Sequence, residues 1–250
     1  MPYTTTATKN TPALIIYLLD MSQSMGVEID GRTKSDLVTS TLMQVAREMV
    51  LRSMKGTIPS PRYRVAIYVY NDNVRDVLNG PQLITDLIEI GVPAMKPNGR
   101  TNTSAAFEAA EQLLISERAN LRTCPAPLIC HLTDGAFTHD DPLPVVERIQ
   151  QMTFPDGAVL VENIFFDPGA LRRPVTDPYE WRGVTSADEL ATDTAKHLLR
   201  MSSPIPPSYH ELFTDRGYKV QANARLLFPG ETPEMIEAAF TMSGMTPTTD

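Results

Sequence analysis

The sequence is poor in cysteine, in basic residues and in long apolar segments, and each shortage excludes a class of protein. Two cysteines, Cys124 and Cys130, cannot build a disulfide framework, and Cys130 stands in an apolar run typical of a buried side chain. No apolar run approaches the roughly 20 residues of a membrane-spanning helix. Lys and Arg together number 22 against 30 Asp and Glu, and the resulting net charge of −8 argues against binding to nucleic acid phosphates.

What the chain does contain is typical of one globular unit. Of its 250 residues, 42% are apolar, which is enough to bury a substantial core. Residues 1–10 are polar and lack the apolar centre of a secretory signal, so we expect a flexible N-terminus and a cytoplasmic protein. We find no internal repeat and no second core. We therefore expect a single domain over residues 11–245, with a core at 13–166 and a C-terminal extension at 167–245.

Four apolar runs alternate with segments of helical periodicity. Each run is continuous, as in strands that are buried on both faces of a parallel sheet, and they lie at 13–19, 64–70, 128–132 and 158–166. A further short strand is predicted at 74–78, and helices are predicted at 34–54, 103–116, 145–152, 188–199 and 231–242. Strands that alternate with helices predict an α/β fold with a doubly wound, mostly parallel central sheet and helices on both faces.

Polar side chains gather where the predicted strands end. Asp20, Ser22 and Ser24 follow the first strand, Asp134 follows the third long strand, and Thr101 lies in a loop that opens a helix. Because ligands of open α/β sheets bind at the carboxyl ends of the strands, we expect these side chains to line one crevice. All are oxygen donors, a set that suits Mg²⁺, Mn²⁺ or Ca²⁺ better than zinc. Two carboxylates leave a divalent ion about neutral and able to accept an outside anion.

These residues resemble the metal-ion-dependent adhesion site of the von Willebrand factor A domain, which combines Asp-x-Ser-x-Ser, a distant Thr and an Asp at a strand end. The resemblance extends over roughly residues 13–166 and implies a Rossmann-like fold. It implies that Ser22, Ser24 and Thr101 touch the metal, Mg²⁺ above all, and that Asp20 and Asp134 bind it directly or through water. Cytoplasmic bacterial members, including the TerY-like proteins of stress-response loci, are similar in character.

The sequence departs from the family pattern at three positions, none of which removes a ligand. Met21 and Gln23 replace the small residues that often separate the ligands, and Arg100 stands where many members have glycine. The guanidinium of Arg100 adds a positive charge that favours an acidic partner.

Several of these side chains also have simpler explanations. Ser and Asp are common in loops and at helix starts, so Asp20, Ser22 and Ser24 could merely precede a helix. Thr103 is better explained as a helix start than as a ligand. His131, inside an apolar strand, is typical of a packed, hydrogen-bonded histidine.

The sequence favours a non-enzymatic, metal-dependent protein-binding module whose partner supplies an Asp or Glu to the ion. A role as a scaffold in a bacterial stress-response or multi-protein system fits the resemblance. One alternative is a Mg²⁺-dependent phosphoryl-transfer enzyme with Asp20 as nucleophile, but such enzymes need a second Asp where this chain has Ser22. Another is a subunit of an ATP-driven assembly, although the chain has no Gly-Lys loop for ATP. Neither nucleic acid nor a membrane is an expected partner.

Overall fold

A seven-stranded sheet lies at the centre of the computed structural model, which describes residues 2–29, 31–55, 57–91, 96–167, 169–230, 232, 235–236 and 239. The strands are β1 (Ala13–Asp20), β2 (Glu28–Ile29), β3 (Arg32–Thr33), β4 (Met54–Lys55), β5 (Ile58–Pro59), β6 (Tyr63–Tyr70), β7 (Val74–Asp76), β8 (Gln82–Leu83), β9 (Leu128–Thr133), β10 (Thr153–Phe154), β11 (Gly157–Ala158), β12 (Leu160–Phe165) and β13 (Leu227–Pro229). The α-helices are α1 (Lys34–Arg52), α2 (Ile84–Ile90), α3 (Thr103–Glu117), α4 (Leu143–Gln151), α5 (Asp193–Met201) and α6 (Pro207–Asp215). Short 3₁₀ helices occupy Gln23–Gly26 and Ala187–Glu189.

The sheet is mostly parallel, as the sequence predicts. Its strands follow the order β13-β12-β9-β1-β6-β7, and β8 pairs with another part of β6. Strands β13, β12, β9, β1 and β6 run parallel to their neighbours, whereas β7 and β8 run antiparallel to β6. The four long apolar runs form the middle of the sheet, so the predicted fold class is confirmed.

Two apolar layers cover the sheet, one on each face. Every residue of β1 is buried, and successive side chains enter opposite layers because strand side chains alternate. The layer that contains Ile15 and Tyr17 is completed by α1, α2 and α6. The layer that contains Leu14 and Ile16 is completed by α3, α4 and α5. The helices on both faces therefore seal the centre of the sheet and leave its carboxyl edge to the loops.

The element boundaries differ from the sequence predictions in the second half of the chain. The predicted helix at 188–199 is a 3₁₀ turn at Ala187–Glu189 followed by α5. The predicted strand at 158–166 begins at Leu160, because residues 157–158 pair with 153–154 in a separate hairpin. Helices α2 and α6 and strand β13 were not predicted. Most of the predicted helix at 231–242 lies outside the described residues.

The N-terminal segment, which we expect to be flexible, makes defined contacts in the structure. The backbone N–H groups of Thr4 and Thr5 donate to Asp156 Oδ1 at 3.0 and 2.8 Å. Ala7 is fully buried. These contacts tie residues 4–7 to the turn between β10 and β11 and to the core.

The helices give no sign of a membrane-spanning segment. In the part of the chain that the structure describes, none of them combines the length and the apolar character that crossing a bilayer requires.

Candidate metal centre

The first predicted site residue, Asp20, ends β1 and is fully buried. Its Oδ1 accepts a hydrogen bond from the Ser22 backbone N–H at 2.8 Å, and its Oδ2 accepts one from the Thr133 hydroxyl at 2.7 Å. Burial raises the pKa of Asp20 to about 6, and the negative charge of Asp134 contributes to the rise. Both oxygens are thus held by the protein, which fixes the orientation of the carboxylate.

The two serines of the motif lie directly beyond this strand. Ser22 is the residue before the 3₁₀ helix at Gln23–Gly26, and its extended backbone lets the chain turn sharply away from β1. The Ser22 and Ser24 hydroxyl oxygens are 3.2 Å apart and share a hydrogen bond. Ser22 is buried and Ser24 is exposed, so the pair extends from the interior of the loop to solvent. The structure therefore brings these two predicted site residues together just beyond the end of β1.

Asp134 follows β9, the strand beside β1. The Thr133 hydroxyl that donates to Asp20 also accepts from the Gly135 N–H at 2.9 Å, which links the ends of the two strands. One oxygen of Asp134, Oδ2, lies 3.3 Å from the ammonium of Lys34. The other, Oδ1, is buried and has no hydrogen-bond partner among the described residues. A buried carboxylate oxygen without a donor is costly unless something else binds it.

Thr101 lies in a loop that is packed against both strand ends. The loop accepts a hydrogen bond from Gln23 N–H to Gly99 O at 3.1 Å, and Thr101 N–H donates to the Thr138 hydroxyl at 3.1 Å. The Thr101 side chain is buried. Within the described ranges, no hydrogen bond joins its hydroxyl to Asp20 or the other predicted ligands, and the hydrogen bonds of Thr101 to the loop after β9 are made by its backbone.

A series of buried side chains, joined by hydrogen bonds, lies beneath these loops. His131 is fully buried, with Nε2 2.6 Å from the Tyr70 hydroxyl and Nδ1 2.7 Å from Asn163 Oδ1. Because Asn163 accepts through this oxygen, Nδ1 carries the proton, and Nε2 accepts from Tyr70. Burial lowers the pKa of His131 to about 4, so the ring is neutral at pH 7. The packed, hydrogen-bonded histidine predicted from the sequence is confirmed.

Lys34 is the charged residue at this site that the sequence analysis missed. It is the first residue of α1, and its contact with Asp134 spans 100 positions of sequence. One sequence feature could have pointed to Lys34: a lysine in the first turn of a helix is unusual, because the positive end of the helix dipole disfavours a cation there. Arg100, by contrast, was expected beside the site. The Arg100 side chain is exposed, and the backbone N–H of this residue donates to Asp72 Oδ2 at 3.1 Å.

The donor set fits a hard divalent ion. The described residues contain no cluster of three or more His, Cys, Asp or Glu side chains, so a zinc-type site is not formed there. Hydroxyls and two carboxylates are the ligands that Mg²⁺ and Mn²⁺ accept. The oxygen atoms that could hold such an ion include Oδ1 of Asp134, which has no partner among the described residues, and the hydroxyls of Ser22 and Ser24, which lie 3.2 Å from each other.

The fold and these loops define a class: a doubly wound α/β domain with an oxygen-rich cluster at the carboxyl edge of its sheet. The family model of the von Willebrand factor type A domain matches residues 15–163, more than half of the chain, and the chain belongs to this family. Domains of this family commonly bind a divalent metal ion and generally mediate protein–protein interactions. No curated protein shows significant sequence similarity to the chain.

Solved structures of several proteins share the fold. The pilus adhesin SpaC from Lactobacillus rhamnosus GG superposes with a TM-score of 0.58 at 9% identity, covering 94% of this chain and 30% of SpaC. An aerotolerance-related membrane protein from Bacteroides fragilis NCTC 9343 gives 0.55 at 10% identity, covering 93% and 98% of the two chains. A von Willebrand factor type A protein from Catenulispora acidiphila gives 0.51 at 11% identity, covering 94% and 43%. At such identities the likeness establishes the fold alone.

Proposed function

We propose that this domain is a metal-dependent protein-binding module. Ser22, Ser24 and Thr101 bind a divalent ion directly, with Mg²⁺ as the proposed ion, and Asp20 and Asp134 complete the site directly or through water. The partner protein supplies an Asp or Glu oxygen to the open position of the ion. The domain then acts as a scaffold in a bacterial stress-response or multi-protein system.

The observation that carries this proposal is the carboxylate of Asp134, one oxygen of which has no hydrogen-bond partner among the described residues. Its Oδ1 is buried and lacks a hydrogen-bond donor in the described part of the chain, although Asp20, on the neighbouring strand, has donors to both oxygens. A bound cation removes the cost of leaving that oxygen without a partner. The hydroxyls of Ser22 and Ser24, 3.2 Å apart, supply two further ligands in the adjacent loop.

The geometry of Asp20 supports a non-enzymatic role over phosphoryl transfer. A nucleophilic carboxylate must reach the phosphorus of its substrate, whereas Asp20 is fully buried and both of its oxygens accept hydrogen bonds. The position two residues on is Ser22, which cannot serve as the acid and base that such enzymes use. We therefore expect no release of phosphate from phosphate esters above the buffer rate.

Isothermal titration calorimetry with Mg²⁺ and Mn²⁺ tests the proposed site. Asp134→Asn keeps the side-chain shape but removes the charge of one ligand, and we expect metal affinity to fall at least about 100-fold, or about 2.7 kcal/mol. Asp140→Asn is the matched control, because Asp140 is an exposed carboxylate six residues further along the same loop. Its affinity should equal that of the wild type.

Equal metal affinity in the wild type and Asp134→Asn, or an absence of binding in the wild type, would contradict the proposal. Release of phosphate that depends on Asp20 would favour the enzymatic alternative. The proposed cytoplasmic location of the protein is tested separately, by fractionation of the producing cells.

A further inference from the structure

The position of Lys34 beside the metal centre is fixed by the start of α1. Its backbone N–H donates to Val27 O at 3.0 Å, and the Thr33 hydroxyl caps the helix by accepting from Asp36 N–H at 3.0 Å. Side chains of helices point back toward the N-terminus, which here is the side of the metal centre. The Lys34 side chain is only 10% exposed, so its ammonium is held within the site and not in solvent.

This is an unfavourable place for a lysine unless a nearby anion compensates it. Burial penalises an ammonium group, and the N-terminal turn of a helix adds a positive potential. Asp134 is the carboxylate that compensates it, at 3.3 Å, and no other ion pair of Lys34 is found among the described residues. The lysine therefore acts on the charge of Asp134 specifically.

The contact uses one carboxylate oxygen and leaves the other for a metal. Lys34 Nζ approaches Oδ2 of Asp134, whereas Oδ1 is buried without a hydrogen-bond partner in the described structure. One carboxylate can thus face the ammonium and a divalent ion at the same time.

We propose that Lys34 is a built-in cation that weakens metal binding and strengthens the binding of an acidic ligand to the loaded site. This inference rests on the proposed function, because it concerns the same metal. Two carboxylates and a divalent ion sum to zero, and the ammonium of Lys34 leaves one positive charge. That charge repels the incoming metal but attracts the carboxylate that completes it. Lys34 is a specificity-determining residue that makes the loaded site select anions.

Three variants separate the charge of Lys34 from its packing. Lys34→Met replaces the ammonium group by an apolar side chain of similar length. Lys34→Gln also removes the charge but keeps a polar side chain, whereas Lys34→Arg keeps the charge. Titration of each protein with Mn²⁺, followed by the loss of the free-ion signal in electron paramagnetic resonance, gives the metal affinity without any partner. We expect Lys34→Met and Lys34→Gln to raise Mn²⁺ affinity at least about tenfold, and Lys34→Arg to leave it within about threefold of the wild type.

Acetate serves as the carboxylate probe for the second half of the proposal. It is added to each Mn²⁺-saturated protein, and water proton relaxation reports the displacement of water from the ion. Acetate should bind the wild type and Lys34→Arg several-fold more tightly than Lys34→Met or Lys34→Gln. A purely structural role of Lys34 would change the melting temperature but would not move the two affinities in opposite directions.

The outcomes distinguish this inference from the proposed function. If the wild type does not bind Mn²⁺ at all, the proposed function itself is wrong, and this inference is overturned with it. If the wild type binds Mn²⁺ but both uncharged variants bind it equally well or more weakly, only the role of Lys34 is overturned. Tighter acetate binding in the uncharged variants would also overturn it.

Discussion

Glu162 is a buried acid in the middle of the sheet, and it makes the stability of the fold decline as pH rises toward 8. It lies on β12, directly opposite Cys130 of β9, and is fully buried. Among the described residues, neither carboxyl oxygen has a well-formed hydrogen bond, and the thiol of Cys130 is the polar group that interacts with the carboxyl group. Burial raises the pKa of Glu162 from 4.5 to about 8, so the group is protonated in the folded protein at pH 7.

The sign and size of the effect follow from proton linkage. The folded pKa of Glu162 lies above the unfolded one, so between these values the folded state holds a proton that the unfolded state has released. The free energy of unfolding therefore falls as pH rises toward 8. From pH 6.5 to pH 8 the expected loss from this group is about 1.6 kcal/mol. Asp20, with a pKa of about 6, completes most of its titration below this window. His131 has its pKa lowered from 6.5 to about 4, so its unfolded-state titration raises the free energy of unfolding by roughly 0.4 kcal/mol across the window, and this opposing change does not involve Glu162.

Urea unfolding at pH 6.5, 7.25 and 8 measures this loss. Glu162→Gln keeps the shape of the side chain and cannot ionise, so between pH 6.5 and pH 8 its free energy of unfolding should decline by about 1.6 kcal/mol less than that of the wild type. Glu147→Gln is the matched control, because Glu147 is exposed on α4. It should decline in parallel with the wild type. If Glu162→Gln and the wild type decline in parallel, the buried carboxyl group does not titrate in this range and the reasoning is refuted.

Two further substitutions test contacts that do not involve the proposed metal ligands. Asp156→Ala removes the carboxylate that residues 4–5 bind, and we expect a loss of about 1–3 kcal/mol in urea unfolding and faster trimming of the N-terminus by trypsin. An unchanged trimming rate would mean that the contacts do not hold the segment. Gly135→Ala places a Cβ 2.5 Å from Thr194 Cγ2 at a φ of +97°, so its melting temperature should fall by more than that of Gly169→Ala, where φ is +89° and no atom lies within 4 Å. If the melting temperatures of the two variants fall equally, the strain of a positive φ explains the loss, and the contact with Thr194 adds nothing to it.

The central strands could be predicted from the sequence because each carries its signal locally. Strand β1 is an unbroken apolar run, and a strand buried on both faces of a parallel sheet needs such a run. Strand β13 has three residues, too few for any pattern, and exists because its backbone pairs with β12. Helix α2 has seven residues and no side-chain cap at its start. Its position depends on packing rather than on sequence signals.

The candidate site likewise combines contacts that can be predicted from neighbouring residues with contacts that cannot. Asp20, Ser22 and Ser24 are close in sequence, so their proximity follows from a strand followed by a tight turn. The contact of Lys34 with Asp134 joins the beginning of one helix to the end of a distant strand. No local pattern encodes that contact, because it depends on how α1 and β9 pack around β1. No local pattern signals the buried carboxyl group of Glu162 either, because this residue stands inside an apolar run that predicts a core strand.

The topology explains why the two carboxylates of the centre meet at this point and not elsewhere along the edge. From β1 the chain proceeds to β6 on one side, whereas β9 lies on the other side of β1. Helix α1, which follows β1, covers one face, and α4, which follows β9, covers the opposite face. The chain connections after these two adjacent strands therefore diverge to opposite faces of the sheet, as at the switch point of other doubly wound sheets. Asp20 is the last residue of β1 and Asp134 is the first residue after β9, so both carboxylates lie where the two connections diverge. Because these strands are held by their buried apolar layers, we expect substitutions in the loops to change the charge and the polar groups at this edge without disturbing the sheet.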